Sequence, residues 1–468
     1  MSSSITLAFF GGINEIGGNK ILLADRNSGV KIFLDFGKSF ELSRKFYEFP
    51  FTYPETISEL ISIGAVPPDN SLYTRLTRKD FKAKEIDKSL EVEPSVNAVF
   101  ISHAHLDHYG YISLLNRKIP IFLGECTRNI VNAASKLIYQ QRSPEQFYDG
   151  LRLNAFRTNE KIVITGSSGE IVVEPVHVDH SIPGAYGFIV HTSTCSIAYT
   201  GDFRKHGPQK FLTEDFIKKL ESEDIKVLIT EGTHAQYSEK SSEMEVAEKV
   251  RDVVEDTKNL IIADFSRSDL DRFVTFYHVA RRTKRRLVID AKRYRIISAI
   301  LETPGILASD IDLNSDIIAL LDEEKKHLTS GEKEVLEIVS EEKRVKLDEI
   351  RKNPEKFIFT VVFGGARDIK KLKPPAGSIY LLSSSEPVHE EREISFEKLL
   401  NWLEHFGVAV YHIHASGHAT PLDIKELIER ADPEIVIPIH TERPITLRNF
   451  VNKGKWIIPK GYGSKIEI

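Results

Sequence analysis

The stretch AVFISHAHLDH at residues 98–108 decides the fold, because it joins an apolar run directly to a cluster of metal-ligand side chains. The apolar run predicts a buried β-strand. The last six residues supply four candidate ligands, His103, His105, Asp107 and His108. Imidazole and carboxylate groups are ligands that zinc and similar divalent ions prefer. The stretch therefore predicts a metal site at the end of a strand.

Further candidate ligands follow other apolar runs, far from this stretch in the sequence. They are Asp35 in IFLDFG, His180 in VDHSIPG, Asp202 in AYTGDFR and His440 in IVIPIH. Each can point into one shared crevice at a sheet edge, so the chain offers enough ligands for two ions. Two ions about 3.5–4 Å apart can bridge a water molecule and neutralise charge on a phosphoryl oxygen.

The remaining histidines and the two cysteines have no predicted role in metal binding. A lone histidine in a soluble protein is more often a surface or hydrogen-bonded residue than a ligand. Cys126 and Cys195 stand alone, which excludes a disulfide framework and a cysteine-type zinc site. The histidines without an assigned role are His177, His191, His206, His234, His278, His327, His389, His405 and His412.

Composition bounds the class of protein. The 468 residues exceed the size at which one hydrophobic core stops growing, so two or three units are expected. Hydrophobic residues make up 41% and charged residues 28%, which excludes a largely disordered chain. The sequence has neither an apolar run of about 18 residues nor a signal peptide, so we expect a cytoplasmic protein without a membrane partner. The net charge of −5 excludes a histone-like mode of nucleic-acid binding, but not a local basic channel.

The periodicity of the chain changes near residue 235. Before this point short strands and helices mix, beginning with a β-meander over residues 5–34. After it, a helix at 242–256, a strand at 260–263 and a helix at 268–281 alternate, which predicts a parallel α/β sheet.

Two other segments lack a clear period. Residues 40–92 form a long excursion between strands, and excursions of that length are usually functional lids or binding elements. The highly charged residues 322–356 are expected to form a solvated helical excursion.

Five motifs in one order carry a family resemblance: HAHLDH, HSIPGAYG, TGDFR, HASGHAT and IPIHTERP. With them the sequence resembles the metallo-β-lactamase superfamily, specifically its β-CASP branch, and within that branch the ribonuclease J family. GGINEIGGN near the N-terminus is also similar to that family. The archaeal form, without the additional C-terminal domain of bacterial members, resembles this chain most in length.

The resemblance implies the roles of the ligands. One zinc ion would be held by His103, His105 and His180, and a second by Asp107, His108 and His440, with manganese as an alternative metal. Asp202 would bridge the two ions, and Asp35 would support the site from behind the ligands.

The resemblance also implies two further catalytic residues. Glu231 and His418 would pair near the leaving group and complete a catalytic set with Asp202, and His418 would act as or orient a general acid. Separately, the turn Ser416–Gly417–His418 is the best candidate for a phosphate cradle, because short polar turns present N–H groups to phosphate.

The implied fold is an α/β protein, a metallo-β-lactamase αββα sandwich with an inserted α/β β-CASP domain. We expect residues 1–234 and 406–468 to form the sandwich and residues 235–405 to form the insertion. Single-stranded RNA would run in the cleft between them. The structural change expected near residue 235 agrees with this layout.

The resemblance implies a zinc-dependent ribonuclease, with 5′-to-3′ exonuclease action in RNA decay and maturation as the first hypothesis. The alternative is an endoribonuclease of the RNA 3′-end-processing type, because Glu231 stands where the ribonuclease J family usually has aspartate. Residues 383–387, SSSEP, also depart from the family pattern. A catalytically silent scaffold is disfavoured because all seven expected ligands are present. A small-molecule hydrolase is disfavoured because it would not explain the inserted domain with Glu231 and His418.

Contact with RNA phosphates is expected from two basic runs, at residues 281–286 and 370–373. Such runs are more often solvated helix ends, so both interpretations stay open. Whether the chain forms a homodimer also stays open.

Overall fold

Three β-sheets and the helices that cover them make up the structure, which is a computed structural model. The described residues are 4–47, 53–74, 92–138, 143–236, 241–308, 310–322, 327–362, 365–384 and 390–468.

The strands are short, and most are rich in Ile, Val and Leu, which suit a pleated surface with buried faces. In chain order they are β1 (Ile5–Phe9), β2 (Ile21–Asp25), β3 (Val30–Leu34), β4 (Ala98–Ile101), β5 (Pro120–Gly124), β6 (Arg152–Phe156), β7 (Ile162–Thr165), β8 (Glu170–Val178), β9 (Ala185–His191), β10 (Ser196–Tyr199), β11 (Ile225–Thr230), β12 (Ile261–Asp264), β13 (Arg286–Ile289), β14 (Ile318–Leu321), β15 (Arg344–Val345), β16 (Phe357–Val361), β17 (Ile379–Leu382), β18 (Ala409–His412), β19 (Ile435–Pro438), β20 (Lys455–Trp456) and β21 (Ser464–Glu467).

Several α-helices begin at a polar residue whose side chain accepts a hydrogen bond from the first turn. Ser242 and Thr420, for example, each form a reciprocal capping box with the residue three positions later. In chain order the helices are α1 (Phe40–Phe46), α2 (Ile57–Ser62), α3 (Leu106–Tyr109), α4 (Glu125–Ser135), α5 (Lys210–Glu221), α6 (Glu243–Asp256), α7 (Leu270–Thr283), α8 (Ala291–Leu301), α9 (Ser330–Ile338), α10 (Leu347–Lys352), α11 (Ala366–Leu372), α12 (Glu390–His405), α13 (Pro421–Ala431) and α14 (Pro444–Val451).

The first two sheets pack face to face around one apolar core. Their strand orders are β21-β1-β2-β3-β4-β5-β6 and β20-β19-β11-β10-β9-β8-β7. Phe100 of β4, Phe188 of β9 and Ile437 of β19 belong to the same buried cluster. Helix α4 covers the first sheet, and α5, α13 and α14 cover the second. The αββα sandwich predicted from the sequence is therefore confirmed.

The third sheet is parallel throughout, in the order β15-β14-β13-β16-β12-β17-β18. Helices α6, α7 and α8 cover one face, and α10, α11 and α12 cover the other. Helix α8 also packs against α4 of the sandwich. We call this three-layer unit the inserted unit. None of the helices in the described ranges combines the length and the apolar character needed to span a bilayer.

The domain boundaries after residues 234 and 405 stay a prediction. A strand that follows the second boundary nevertheless belongs to the third sheet and not to the sandwich. The strand Ala409–His412 lies beyond residue 405 and pairs with β17 of the third sheet. Its apolar run was expected to belong to the sandwich, and only its neighbours in space distinguish the two sheets. By sheet membership, the chain leaves the inserted unit after His412.

The two segments without a clear period are both partly built into the core. In residues 40–92, Leu60, Val66 and Leu72 are fully or almost fully buried beneath the first sheet, so the described part is not a free lid. The expectation of a solvated excursion at residues 322–356 is wrong in part. Strand β15 extends the third sheet, and Ile350 is fully buried, because apolar residues recur among the charges.

Candidate metal centre

Seven side chains converge where strands of the sandwich end. Two of them follow β4, two lie on α3, and one each follows β8, β10 and β19. The edge at which strands end is a common place for ligand binding in α/β folds. The seven are His103, His105, Asp107, His108, His180, Asp202 and His440.

The first donor set consists of His103, His105 and His180, with Asp202 at its edge. His105 Nδ1 lies 3.1 Å from His103 Nε2 and 3.1 Å from His180 Nε2. Asp202 Oδ2 lies 3.7 Å from His103 Nε2 and 4.0 Å from His180 Nε2. Three imidazoles and a carboxylate at this spacing match the four-ligand preference of zinc.

The second donor set consists of Asp107, His108 and His440, and it also faces Asp202. Asp107 Oδ2 lies 3.2 Å from His440 Nε2 and 3.8 Å from His108 Nε2. Asp202 Oδ2 lies 3.0 Å from His108 Nε2 and 3.5 Å from His440 Nε2. One oxygen of Asp202 therefore adjoins both sets, which is the position of a bridging carboxylate.

Groups behind the ligands fix the orientation of the imidazole rings. Asp35 Oδ2 lies 2.7 Å from His108 Nδ1, and the carbonyl oxygen of Gly417 lies 2.5 Å from His180 Nδ1. A ring that donates its Nδ1–H outward presents the Nε2 lone pair to the centre, the state in which imidazole binds a metal. Asp35 also accepts hydrogen bonds from the Ser102 amide and the Tyr199 hydroxyl, and its backbone is left-handed, with φ 59°.

Ser102 and Thr233 hold two further rings, and the sequence analysis missed both. Ser102 Oγ lies 3.0 Å from His103 Nδ1, and Thr233 Oγ1 lies 2.8 Å from His440 Nδ1. Ser102 directly precedes the HAHLDH motif, and Thr233 follows Glu231 by two residues. In the sequence, only their positions beside the motifs could have indicated that they support the ligands.

The protonation of three ligand histidines suits a metal. Burial, with neighbouring imidazoles led by His108, lowers the pKa of His103 well below its ordinary value. Burial also lowers the pKa of His180 well below its ordinary value and that of His105 to about 4. These rings are neutral near pH 7, as metal ligands must be.

His108 differs from these three histidines, because burial opposes its charged ring but Asp202, Asp35 and Asp107 raise its pKa well above the ordinary value. Burial opposes ionisation of Asp202, but His108 and other histidines hold the pKa of that carboxyl well below its usual range.

The side chains around Asp202 offer no other explanation for this arrangement. Asp202 Oδ1 is buried and has no hydrogen-bond partner among the described residues. In that part of the chain its ion-pair partners are all histidines. His105 Nδ1 can donate a proton to only one of the two ring nitrogens that lie 3.1 Å from it, so a cation would satisfy the lone pairs of all three nitrogens better than that single proton. The residues therefore fit divalent metal.

The N-terminal GGINEIGGN loop supports the second donor set. The His440 amide donates to the Gly12 carbonyl (2.7 Å), and the Asn19 amide donates to the Asp107 carbonyl (3.0 Å). The fully buried Lys20 ammonium ties the loop together by donating to two backbone carbonyls, and burial lowers its pKa to about 8. The loop thus fixes both a strand-end ligand and a helix ligand.

Gly17 in this loop approaches Asp107 so closely that a side chain has no room. Its φ is 83°, and a Cβ there would lie 2.4 Å from Asp107 Oδ2 and 2.6 Å from Asp107 Cβ. Glycine is required both for the left-handed backbone and for the close approach.

Glu231 and His418 form a pair beside the donor sets. His418 Nδ1 lies 3.0 Å from Glu231 Oε2 and 3.8 Å from Asp202 Oδ2. Glu231 is fixed from the other side, because its Oε1 accepts a hydrogen bond from the Phe203 amide at 2.9 Å. Burial opposes the charged ring of His418, but Glu231 and Asp202 raise its pKa to about 9. His418 can therefore hold a proton near pH 7 with its Nε2 directed away from Glu231.

Two histidines without a predicted role hold the Ser416–Gly417–His418 turn. His206 Nε2 donates to the Ser416 carbonyl at 2.7 Å, and His234 Nε2 lies 2.6 Å from Ser416 Oγ. Ser416 Oγ also accepts from the His418 amide at 3.1 Å. Among the described residues the Gly417 amide has no hydrogen-bond partner. The phosphate-cradle assignment stays a prediction, with that amide and Ser416 Oγ as its remaining donors.

Buried ion pairs connect this turn to the metal-ligand strand. Arg204, two residues after Asp202, donates to Glu243 at 2.8 Å. Glu243 also pairs with Arg272 of α7, which donates to the Ala415 carbonyl at 3.2 Å. Both arginines are fully buried. The network joins the sandwich, the inserted unit and the turn.

A further cluster of Glu174, His191 and Glu223 does not resemble a metal site. The Lys219 ammonium lies 3.0 Å from Glu174 Oε1 and 3.9 Å from Glu223 Oε1. That cation already balances the carboxylates.

Two cavities adjoin the first donor set, and residues of the inserted unit line both. One, of about 330 Å³, is lined by His180 and by Asp271 of α7. The other, of about 680 Å³, is lined by His105 and by residues 266–268. Each cavity thus adjoins one of two ligands, His180 and His105, that are in contact with each other.

The two basic runs predicted to contact RNA phosphates lie at the ends of helices. Arg281 and Arg282 lie in the last turn of α7, and Lys370 and Lys371 in the last turn of α11, which are the solvated helix ends of the second interpretation. Of residues 383–387, those after Ser384 lie outside the described residues.

The sandwich and the shared ligand cluster have the arrangement of the metallo-β-lactamase fold. Two family models match the chain: a β-lactamase superfamily domain over residues 75–258 and a Zn-dependent metallo-hydrolase RNA specificity domain over residues 408–449.

Among metallo-β-lactamase proteins, the chain is similar to individual proteins of the ribonuclease J family. Ribonuclease J of Mycoplasma genitalium is 24% identical over 380 residues, which cover 78% of this chain and 61% of that protein. Ribonuclease J of Pyrococcus abyssi is 21% identical over 457 residues, which cover 94% of this chain and 90% of that protein. The chain thus spans about three fifths of the length of bacterial relatives such as the Mycoplasma protein. The resemblance to ribonuclease J of the β-CASP branch is confirmed.

A solved structure supports the same fold. A protein of unknown function from Enterococcus faecalis V583 superposes with a TM-score of 0.75 at 24% identity, covering 99% of this chain and 100% of that one.

Replacing Asp202 tests the shared carboxylate. Asp202→Ala should reduce the bound metal from about two ions per chain to well below one, because both donor sets lose a ligand. Elemental analysis of the purified protein measures this. His278→Ala, at an exposed histidine paired with Asp310, is the control and should keep the full metal content. Unchanged metal in Asp202→Ala would exclude a bridging role.

Replacing Gly17 tests the support from the N-terminal loop. Gly17→Ala should weaken metal binding roughly 10- to 100-fold by displacing Asp107. The matched control is Gly305→Ala, since Gly305 has φ 86° but no described atom within 4 Å of the position that a Cβ would take. Metal titration by isothermal calorimetry compares the two. Equal weakening in both variants would assign the effect to backbone strain alone.

Proposed function

We propose that this protein is a metal-dependent ribonuclease that hydrolyses phosphodiester bonds in single-stranded RNA. The observation that best supports this proposal is the pair of donor sets that share Asp202 and lie beside the Glu231–His418 pair. The resemblance to ribonuclease J and the match to an RNA specificity domain support RNA as the substrate. The finer proposal is 5′-to-3′ exonuclease action.

The two donor sets would hold two zinc ions, with manganese as the alternative. His103, His105 and His180 would hold one ion, Asp107, His108 and His440 the other, and Asp202 would bridge them. Two such ions supply an activated water molecule and neutralise charge on the phosphoryl oxygens. Asp35 and Ser102 would keep the rings oriented for this work.

His418 is proposed as the general acid. Its Nδ1 faces Glu231, and its pKa of about 9 keeps the ring charged near neutral pH. As the oxygen of water bonds to phosphorus and the bond from phosphorus to the 3′ oxygen breaks, His418 Nε2 would give its proton to that leaving oxygen. The products are a 3′-hydroxyl on one side and a strand with a 5′-phosphate on the other.

End recognition is proposed for the Ser416–Gly417–His418 turn. The turn lies on the side of the leaving 3′ oxygen, because it includes His418. The 5′-phosphate of the nucleotide that precedes the cleaved bond would therefore meet the Gly417 amide and Ser416 Oγ. A 5′-triphosphate would be larger and more charged than such a small turn accommodates.

Endonuclease action is the second candidate. A cavity adjoins each of the ligands His180 and His105, so there is space beside the metal centre through which a strand could continue. Glu231 in place of aspartate also favours this candidate by resemblance.

The two modes predict different products from matched RNAs. With Mn²⁺ or Zn²⁺, a 5′-monophosphorylated linear RNA should release mononucleotides, a 5′-triphosphorylated RNA should react more slowly, and a circular RNA of the same sequence should resist. Gel analysis of body-labelled RNA compares all three. Equal cutting of the circle would support the endonuclease candidate, and no cleavage of any RNA with either metal would contradict the ribonuclease proposal.

The role of His418 predicts a loss in turnover rather than in binding. His418→Ala should lower kcat roughly 100- to 10,000-fold, with a smaller change in KM, because proton donation is needed mainly in the transition state. Steady-state hydrolysis of RNA and metal analysis measure both effects. His405→Ala, at an exposed histidine on Trp402, is the control and should retain activity. A variant His418→Ala with normal kcat would exclude the role.

A further inference from the structure

We propose that Phe40 and Leu106 form an apolar shelf that binds the base of the nucleotide directly 3′ of the cleaved bond. The inference rests on the proposed ribonuclease function and extends it to a base-binding subsite. It also gives a role to the beginning of the segment at residues 40–92.

The shelf lies at the cavity of about 680 Å³ beside the first donor set. Phe40 begins α1, Leu106 stands between two ligands in the HAHLDH motif, and both line this cavity with His105 and Asp107. Phe40 is 37% exposed and Leu106 is 46% exposed. Contact of large apolar side chains with water is unfavourable, and a flat base would cover them.

Backbone hydrogen bonds fix the shelf relative to the metal ligands. The Lys38 amide donates to the Leu106 carbonyl at 2.9 Å, and the Phe36 amide donates to the His108 carbonyl at 2.8 Å. Ser39 then caps α1 by accepting from the Leu42 amide at 3.2 Å. The chain that carries Phe40 therefore rests directly on the metal-binding loop, so little order need be gained when a base binds.

The inserted unit also lines the cavity, with the polar residues 266–268 and with Ile296. Ser266 and Ser268 have hydroxyls 3.3 Å apart, and Arg267 between them pairs with Asp290 at 2.7 Å. A cavity that combines an apolar shelf with hydroxyls and a guanidinium matches one nucleotide, whose base is apolar on its faces and whose backbone is polar. Unpaired bases stack on such platforms in single-strand binding proteins.

The position of the cavity selects the nucleotide. Its described lining includes His105 and Asp107 but no residue of the Ser416–Gly417–His418 turn. His418 adjoins the leaving 3′ oxygen, so the nucleotide upstream of the cleaved bond lies on the turn side. The cavity therefore holds the nucleotide that keeps the phosphate, which is the one 3′ of the bond.

The experiment combines a protein change with a matching RNA change. Phe40→Ala should lower kcat/KM roughly 5- to 100-fold on a 5′-monophosphorylated RNA oligonucleotide, the range expected for one base–aromatic stack. An otherwise identical RNA with an abasic residue directly 3′ of the mapped cleavage site should show a similar loss with the wild-type protein. The two losses should not add, since both remove the same contact. Phe40→Tyr, which keeps the ring, should recover most of the rate.

The matched control is Phe450→Ala. Phe450 is 44% exposed, carries a lysine ammonium 5.7 Å from its ring and lies on α14, outside the cavity lining, so its removal should leave kcat/KM unchanged. Equal losses for Phe40→Ala on normal and abasic RNA, or no loss on either, would overturn the shelf. Failure of the wild-type protein to cleave any RNA would instead contradict the ribonuclease proposal on which the shelf rests.

Discussion

The convergence of imidazoles on one buried carboxylate is the constraint on which the rest of this structure depends. Ring nitrogens of His103 and His180 both lie 3.1 Å from His105 Nδ1. One proton on His105 Nδ1 can satisfy only one of them, and a buried acceptor without a donor costs about 1–3 kcal/mol, so a cation would stabilise the arrangement. Sandwich sheets, positive-φ turns and buried polar residues all serve to hold these groups in place before any ion arrives.

The same constraint links the ligands to the inserted unit. The Gly417 carbonyl accepts from His180, so the turn that carries His418 is bonded to a metal ligand directly. From the other direction the buried pairs of Glu243 with Arg204 and Arg272 reach the residue before that turn. Buried ion pairs of this kind are costly to break because one partner is left uncompensated. A continuous set of buried hydrogen bonds and ion pairs therefore connects the ligands, the turn and the inserted unit.

Local patterns made much of the fold predictable. The meander of β1, β2 and β3 and the alternation of α6, β12 and α7 each follow from short-range periodicity, and the structure has them within about two residues of the expected bounds. Sequence patterns did not predict the features that depend on contacts with distant parts of the chain. Strand β18 has the pattern of a sandwich strand but pairs in the third sheet, and Ile350 has charged neighbours in the sequence but is buried.

Some residues of the candidate site could likewise be predicted from the sequence, and others could not. Residues that end apolar runs, such as Asp202 and His440, could be chosen because a strand end limits where a side chain can point. His234 and Phe40 could not, since each acquires its neighbours only when distant segments pack together. His234 is 182 residues from Ser416, and nothing near either residue in the sequence indicates the contact.

The two sides of the centre differ in chemistry, and the difference bears on which nucleic acids can enter. The His418 side is lined by imidazoles that are already hydrogen-bonded to the turn, whereas the Phe40 side offers an apolar surface to a ring face. In a duplex both faces of an internal base are covered by its neighbours, so that surface would stay exposed to water. A single strand can turn one base out of its stack and cover Phe40 while its phosphate remains at Asp202. Under the proposed function, a preference for single strands would follow from the apolar shelf, without any contact that reads the base edges.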